Sequence, residues 1–475
     1  MNKFDNISAI VQIKVSCIEY NPYIPFKITT EYKSIGSGVF ISEIHILTCF
    51  HVVNNATTIN INIPKYGKKN FKVKLISYCN ELDIALLEID DDFKSNYKLE
   101  MADSDKINIS DKVNVIGYPI GSDKVKSTYG HINGIENYHI QVDAAINSGN
   151  SGGPLLDNNN IIIGINSQKI VSKEVDNIGY SIPINLVKDM LPIMFKQLII
   201  NKPKLFCNFY NNSDEYLEYY TNDKIDHGYI IKDIINDSPL YKLGIRSGDI
   251  FLQINEFKLD IFGEIYADWL NEKIKLNDLF VRYNIGDNIN IKIFSISNKK
   301  ILDFNYILQN YKKSQIEIFP TINNNHHYNY EIFGGLIISE LKINHFNNLN
   351  LISEKSGENI IKLLKYKDIN HIFKSIFFIS NIMPGSYVDT FNIIKFGYII
   401  KSINNININT FNEIYKAINI NNKYINIKFT NNITIILDTN KMLHANLNIY
   451  KEYNIKPTKI INLFKLNILE ILNKN

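Results

Sequence analysis

The chain has 475 residues but only four cysteines, and they fall at positions 17, 49, 79 and 207 without a paired C-x-x-C spacing. That excludes a disulfide scaffold and a cysteine-based metal knuckle, and it reads as buried thiols in a reducing compartment. There is a single tryptophan, and the formal net charge is only +3. Near-balance gives no broad basic face for nucleic acid and no anionic-membrane surface. Short lysine pairs such as Lys68-Lys69 and Lys299-Lys300 read as solvated loops. No long apolar run is present, and the opening Met1-Asn2-Lys3-Phe4-Asp5 is polar, so neither a secretory leader nor a transmembrane span is expected and the location is read as cytoplasmic. A chain of this length exceeds one hydrophobic core and implies about three domains of ordinary size.

What is present is a catalytic pattern. Gly149-Asn150-Ser151-Gly152-Gly153-Pro154 places a serine on a glycine-flanked turn. Upstream, Thr48-Cys49-Phe50-His51 puts a histidine at the end of an apolar run, and Asp83-Ile84-Ala85-Leu86-Leu87 puts an aspartate before another. A serine hydroxyl is a weak nucleophile and needs an adjacent base. An imidazole takes its proton and returns it to the leaving amine, and a carboxylate fixes the tautomer of the imidazole. The order His51, Asp83, Ser151 is that of the chymotrypsin-type triad. The backbone N–H groups of Gly149 and Ser151 are the expected donors to the oxyanion. Each residue alone also has a structural reading, as a core histidine, a strand start or a turn serine; the joint occurrence favours the catalytic one.

These stretches, together with Ser34 to Ile41, Val115 to Pro119, Asp143 to Asn147 and Asn177 to Pro183, resemble the Deg/HtrA serine proteases. The resemblance implies a chymotrypsin-like double β-barrel and an ATP-independent endoprotease acting on unfolded chains. Cys49 departs from the small or polar residue usual before the histidine. Short β-rich runs at Val11–Cys17, Thr58–Ile63, Phe71–Ser77, Lys112–Ile116, Ile140–Val142 and Ile161–Ile165 agree with a barrel. A helical stripe from Ile184 to Ile199, after Pro183, closes the domain near residue 200.

The residue six before the nucleophile, at the base of the specificity pocket in chymotrypsin-like folds, is Ala145, followed by Ile146. The resemblance adds Ile165, Asn166 and Ser167 as the wall. No carboxylate is available for Lys or Arg, so a shallow apolar pocket for small aliphatic residues is expected, with weak discrimination that suits quality control.

Downstream, Gly228 to Ile231, Ser238-Pro239-Leu240 and Leu243 to Asn255 resemble a PDZ domain spanning 201–312. A weaker copy at 331–455 uses Phe333-Gly334-Gly335-Leu336, Phe377–Ile382, Tyr398–Asn404 and Ile433–Thr439. The fold class is therefore mainly β: a protease domain (1–200), then two PDZ domains of α+β type, separated by a linker at 313–330 and followed by a segment at 456–475. That arrangement resembles the plant-type Deg branch. PDZ domains capture peptide C-termini by strand addition. Gly334, Gly335 and Leu336 form the expected carboxylate loop of the second, whereas Phe206 occupies the corresponding glycine position of the first and is expected to crowd it. His326-His327 lacks further ligands nearby, so no metal and no cofactor is expected. The partners implied are unfolded polypeptides and copies of the same chain as a trimer or hexamer, with Phe4, Ile7, Ile10 and Val11 as candidate contacts. The alternative is a chaperone-like or scaffold protein with little turnover.

Overall fold

A computed structural model describes residues 7–90, 92–167, 178–222, 224–236, 238–309, 329–347, 375–418 and 422–464. Tertiary contacts divide the chain into two units, one of residues 1–17 and 31–311 and one of residues 18–30 with 324–475.

The first unit begins with six strands: β1 (Ile10–Tyr20), β2 (Ile28–Phe40), β3 (His45–Cys49), β4 (Ala56–Asn62), β5 (Asn70–Cys79) and β6 (Ile84–Ile89). Their sheet order is β5-β4-β1-β2-β3-β6, and a further β5–β6 pairing closes it into a barrel. Alternation drives the closure. On β5, Phe71 and Val73 are buried while Asn70, Lys72 and Lys74 are exposed, the period of two that turns one face inward. Ile10 and Val11 are fully buried in β1, so they serve this core and are not available as subunit contacts; Phe4 lies outside the described residues.

A second closed barrel follows, built from β7 (Lys112–Gly117), β8 (Lys126–Glu136), β9 (His139–Val142), β10 (Pro154–Leu156), β11 (Ile162–Asn166) and β12 (Gly179–Pro183). Helix α1 (Phe50–Val53) caps β3, and α2 (Ile184–Met194) closes the barrel pair, burying Leu186, Val187, Met190 and Met194. The helix stops five residues short of the Ile199 anticipated from periodicity, and Phe195 is 52% exposed. Pro192 removes one backbone donor from the last turn, and Ile199–Ile200 instead forms β13, parallel to β5 at Tyr78 and Cys79.

The rest of the unit is a sheet of order β14-β15-β16-β20-β21. It uses β14 (Cys207–Tyr210), β15 (Tyr229–Ile234), β16 (Ile250–Ile254), β20 (Asn288–Ser295) and β21 (Lys300–Ile307), with β17 (Phe257–Lys258) off β16 and a hairpin of β18 (Glu264–Ala267) and β19 (Glu272–Lys275). Its helices are α3 (Asp214–Thr221), α4 (Pro239–Lys242) and α5 (Leu276–Phe280). Ser213 caps α3 and Ser238 caps α4, each side chain accepting a first-turn N–H. This sheet is tied to the barrels within the unit: Arg282 donates to both carboxylate oxygens of Asp105 at 2.9 and 2.7 Å and stacks on Trp269.

The second unit holds a three-stranded sheet, β22 (Tyr330–Phe333), β23 (Leu336–Glu340) and β24 (Phe377–Ile382), and a four-stranded sheet of β25 (Ile400–Ile403), β26 (Ile406–Asn407), β27 (Tyr424–Phe429) and β28 (Thr434–Asp438). Its helices are α6 (Ile343–Asn347), α7 (Phe411–Ala417), α8 (Thr439–Glu452) and α9 (Lys459–Leu463). Thr410 and Glu413 form a reciprocal capping box on α7. Residues 18–30 pack here: Tyr23 joins Leu341, Phe346, Ile376 and Phe378 in an apolar cluster, and its hydroxyl donates to the His345 carbonyl. The linker with His326-His327 and the terminal Ile468–Leu472 lie outside the described residues.

Candidate active site

His51 sits in the single turn of α1, directly after β3. Asp83 precedes β6 in the left-handed region, at φ 55°, a conformation aspartate tolerates better than most residues. That backbone posture lets one residue grip the histidine turn from both ends. The Asp83 carbonyl accepts from Phe50 N at 3.0 Å. Its Oδ1 accepts from His51 N at 2.8 Å, and its Oδ2 lies 2.6 Å from His51 Nδ1. Ser167 Oγ donates to the same Oδ2 at 2.9 Å. Asp83 is only 6% exposed. Such a carboxylate holds the imidazole with Nδ1 protonated and leaves Nε2 as the base.

Ser151 is 3% exposed and follows Asn150 in a turn whose glycines carry positive φ, 97° at Gly149 and 84° at Gly152. A side chain at Gly152 would meet Thr48 Oγ1 at 2.2 Å and Cys49 N at 2.9 Å. Only glycine lets the serine turn press against the two residues that lead into His51. Gly152 N donates to the Asn166 carbonyl at 2.8 Å and Asn166 N to the Gly153 carbonyl at 2.9 Å, pinning the turn to β11.

The N–H groups expected to serve as oxyanion donors belong to peptides whose carbonyls are held in place. The Ser148 carbonyl accepts from Ile120 N at 2.5 Å, and the Asn150 carbonyl from Gly153 N at 3.0 Å. Both peptides are trans, so the N–H groups of Gly149 and Ser151 project to the opposite sides of those peptides.

The specificity residues divide. Ala145 is partly exposed, and Ile146 packs so closely on Gly179 that a Cβ there would lie 2.7 Å from it. Ile165 and Asn166, anticipated on the wall, are completely buried. Asn166 spends its amide on the Pro154 carbonyl and the Ser181 hydroxyl, both at 2.8 Å. Ser167 serves Asp83 instead. No local signal separates that role from the wall position, because it depends on a contact between the two barrels.

Cys49, the departure in the motif, donates its thiol to the Asn166 carbonyl at 3.1 Å. Burial, reinforced by the Asp83 charge, pushes this thiol well above its ordinary range. A protonated thiol is not a competing nucleophile. The Cys49, His51 and Asp83 donor atoms lie within 4.8 Å of one another. The 2.6 Å Nδ1–Oδ2 contact is a hydrogen bond, too short to admit an ion between its partners at metal–ligand distances of roughly 2.0–2.3 Å.

Two downstream sites bear on peptide capture. Phe206 keeps the backbone that a glycine would adopt, φ 58°, with its side chain buried. Beside it, a groove of about 820 Å³ runs between the edge strand β14 and the start of α5, lined by Cys207, Asn208, Phe209, Lys232, Leu276 and Asn277. In the second unit the Gly334-Gly335 turn joins β22 to β23, but Gly334 N donates to Asn446 Oδ1 at 2.7 Å, and Asn446 Nδ2 donates to the Ile332 carbonyl at 2.7 Å. Helix α8 therefore occupies a donor that carboxylate capture was expected to use. Leu336 is fully buried.

A trypsin-like peptidase domain profile matches residues 36–165, and a PDZ domain profile matches residues 319–459. The serine protease Do-like HtrA of Bacillus subtilis is 29% identical over 282 residues, covering 54% of this chain and 60% of its own. The putative mitochondrial protease Do-like 3 of Arabidopsis thaliana is 26% identical over 436 residues, covering 86% of this chain and 71% of its own. Among solved structures, the HtrA-type protease AlgW with decapeptide aligns at a TM-score of 0.49 and 23% identity, over 64% of this chain and 95% of that one. The chain spans about half to three fifths of the length of the bacterial relatives it matches. Paired barrels, with a His, Asp and Ser contributed from both, define a trypsin-like peptidase domain, here joined to a PDZ domain. The relatives that the chain resembles are Deg/HtrA serine proteases.

Proposed function

We propose that the chain is an ATP-independent serine endopeptidase that cleaves unfolded or damaged polypeptides, with His51 as base, Asp83 as its orienting carboxylate and Ser151 as nucleophile. The observation that carries this reading is the double grip of Asp83 on His51, at 2.8 and 2.6 Å, beside a nucleophile turn packed onto Thr48 and Cys49. Ser151 attacks the substrate carbonyl, His51 Nε2 accepts its proton, and the N–H groups of Gly149 and Ser151 hold the oxyanion; His51 then protonates the leaving amine. Ala145 and Ile146 support cleavage after small aliphatic residues. Incubation with unfolded casein tests the assignment: wild type cuts it, and Ser151→Ala, folded and assembled as before, loses on the order of a millionfold in turnover. Undiminished cleavage by that variant would sink it.

The module at 201–312 is read as a second PDZ domain, and its β14–α5 groove as the place where an extended segment adds to the sheet edge. The module at 331–455, its glycine turn held by Asn446, is read as architectural. A homo-oligomer, trimeric or hexameric, acting in the cytoplasm completes the proposal. Among the described residues no helix is long and apolar enough to cross a membrane, and the free thiols of Cys17, Cys49 and Cys79 accord with a reducing compartment. Light scattering showing only monomer at micromolar concentration would exclude the assembly.

A further inference from the structure

We propose that Ser37, on β2 of the first barrel, is the positioning residue that holds the oxyanion hole open in the second. The proposal rests on the protease reading above and adds a residue to it. Ser37 is completely buried, and its N–H and hydroxyl both donate into the nucleophile turn. Its N–H donates to the Ser151 carbonyl at 2.9 Å. Its Oγ donates to the Gly149 carbonyl at 2.6 Å and accepts from Tyr118 N at 2.9 Å. Its own carbonyl accepts from Thr48 Oγ1 at 2.8 Å, so the same residue is fastened to the strand that leads into His51.

The geometry gives this hydroxyl a specific task. The oxyanion donors belong to the peptides Ser148–Gly149 and Asn150–Ser151, and Gly149 is the pivot between them. A glycine without constraint rotates freely about both backbone bonds, and rotation of the Ser148–Gly149 peptide would bring a carbonyl where the N–H should be. Two bonds oppose that rotation. Ile120 N holds the Ser148 carbonyl on one side of the pivot, and Ser37 Oγ holds the Gly149 carbonyl on the other. The Tyr118 N–H that Ser37 Oγ accepts comes from the same turn as Ile120. One hydroxyl thus joins that turn to the pivot, and its removal strands a donor and an acceptor where no water reaches them. Tyr118 lies so close that a Cβ on Gly149 would meet its carbonyl at 2.2 Å, so the pivot is packed against the turn that Ser37 Oγ binds.

The test is Ser37→Ala in the full chain, with Ser37→Cys alongside to preserve the volume with a weaker donor. Four readouts separate positioning from general damage: kcat and KM on a chromogenic peptide with valine before the scissile bond, the pH dependence of kcat/KM, affinity for a peptide boronic acid, and affinity for the matching unreactive product peptide. The expectation is a 10- to 1000-fold fall in kcat, the range for a lost oxyanion donor, with KM within about threefold. The boronate, which forms a tetrahedral adduct, weakens in parallel, while product affinity and the pH midpoint stay fixed because His51 and Asp83 are untouched. Ser37→Cys falls between wild type and Ser37→Ala. Unchanged kcat in a folded Ser37→Ala overturns the proposal, as does equal loss of boronate and product affinity. Failure of both variants to fold also overturns it, because Ser37 would then serve stability. A wild-type chain that does not cleave casein sinks the protease reading first; wild-type cleavage with an unimpaired Ser37→Ala sinks this one alone.

Discussion

Asp83→Asn separates the chemistry of the triad from its architecture. Asp83 occupies φ 55°, where asparagine is as comfortable as aspartate, so the backbone that holds Phe50 N survives the change. The amide oxygen still accepts from His51 N. The amide nitrogen, however, now faces His51 Nδ1 at a separation of 2.6 Å in the native pair, and it is a donor. Nδ1 must become the acceptor, the ring proton moves to Nε2, and the base that should receive the Ser151 proton has none of its lone pair available. Ser167 Oγ adapts, because a hydroxyl accepts as readily as it donates. The expected loss is about 10³- to 10⁴-fold in kcat with KM nearly unchanged, or roughly 4–5.5 kcal/mol of transition-state stabilisation at about 1.36 kcal/mol per tenfold.

Asp83→Ala provides the contrast. It removes both side-chain bonds and leaves alanine in a left-handed conformation costing about 1–2 kcal/mol, so it loses activity and thermal stability together. Steady-state kinetics on the valine peptide, with calorimetric Tm for each variant, resolve the two. An Asp83→Asn enzyme retaining a tenth of wild-type kcat would refute the tautomer argument, and one that lost Tm as Asp83→Ala does would show that the site is held together by more than geometry.

Cleavage sites mapped on casein should fall mostly after Val, Ile, Ala or Thr, given Ala145 and Ile146; a majority after Lys or Arg would refute the apolar pocket. Arg282→Ala removes a bidentate pair to Asp105 whose partners are each 26% exposed. Discounted for solvent screening, that costs about 1–2 kcal/mol, and it red-shifts emission from Trp269, the sole tryptophan; unchanged emission would show that the stacking is not maintained. Burial holds His139 and His345 neutral, each lowered to about 4. The unfolded chain takes up these protons near pH 6.5 and the folded chain only near 4, so stability present above pH 6.5 is lost as pH falls through that window, by up to about 3 kcal/mol per histidine; a Tm flat from pH 7.5 to 4 would contradict it. Expressed alone, residues 201–312 should bind extended peptides and residues 328–455 should not, until Asn446→Ala releases the Gly334 N–H; carboxylate-dependent binding by unaltered 328–455 alone would reverse that assignment.

The candidate triad residues and the two barrels were legible because their signals are local or periodic. Phe71 and Val73 alternate with Asn70, Lys72 and Lys74, and Ser151 lies among glycines that only a tight turn requires. What escaped depends on which carbonyl meets which hydroxyl across the barrels. Ser167 looks like pocket wall until the first barrel brings Asp83 within 2.9 Å. Ser37 is one more small residue in a glycine-rich strand until the fold sets it under Gly149. Phe206 shows how bulk alone is a partial guide: the chain keeps the positive φ there and buries the ring. Gly334 misled in the opposite direction, because a glycine that permits close approach does not say what approaches, and here it is Asn446, more than a hundred residues downstream. Side-chain size and backbone permission are properties of a position, whereas the use of an N–H is a property of a pair. A reading of one sequence recovers the first kind and leaves the second to the fold.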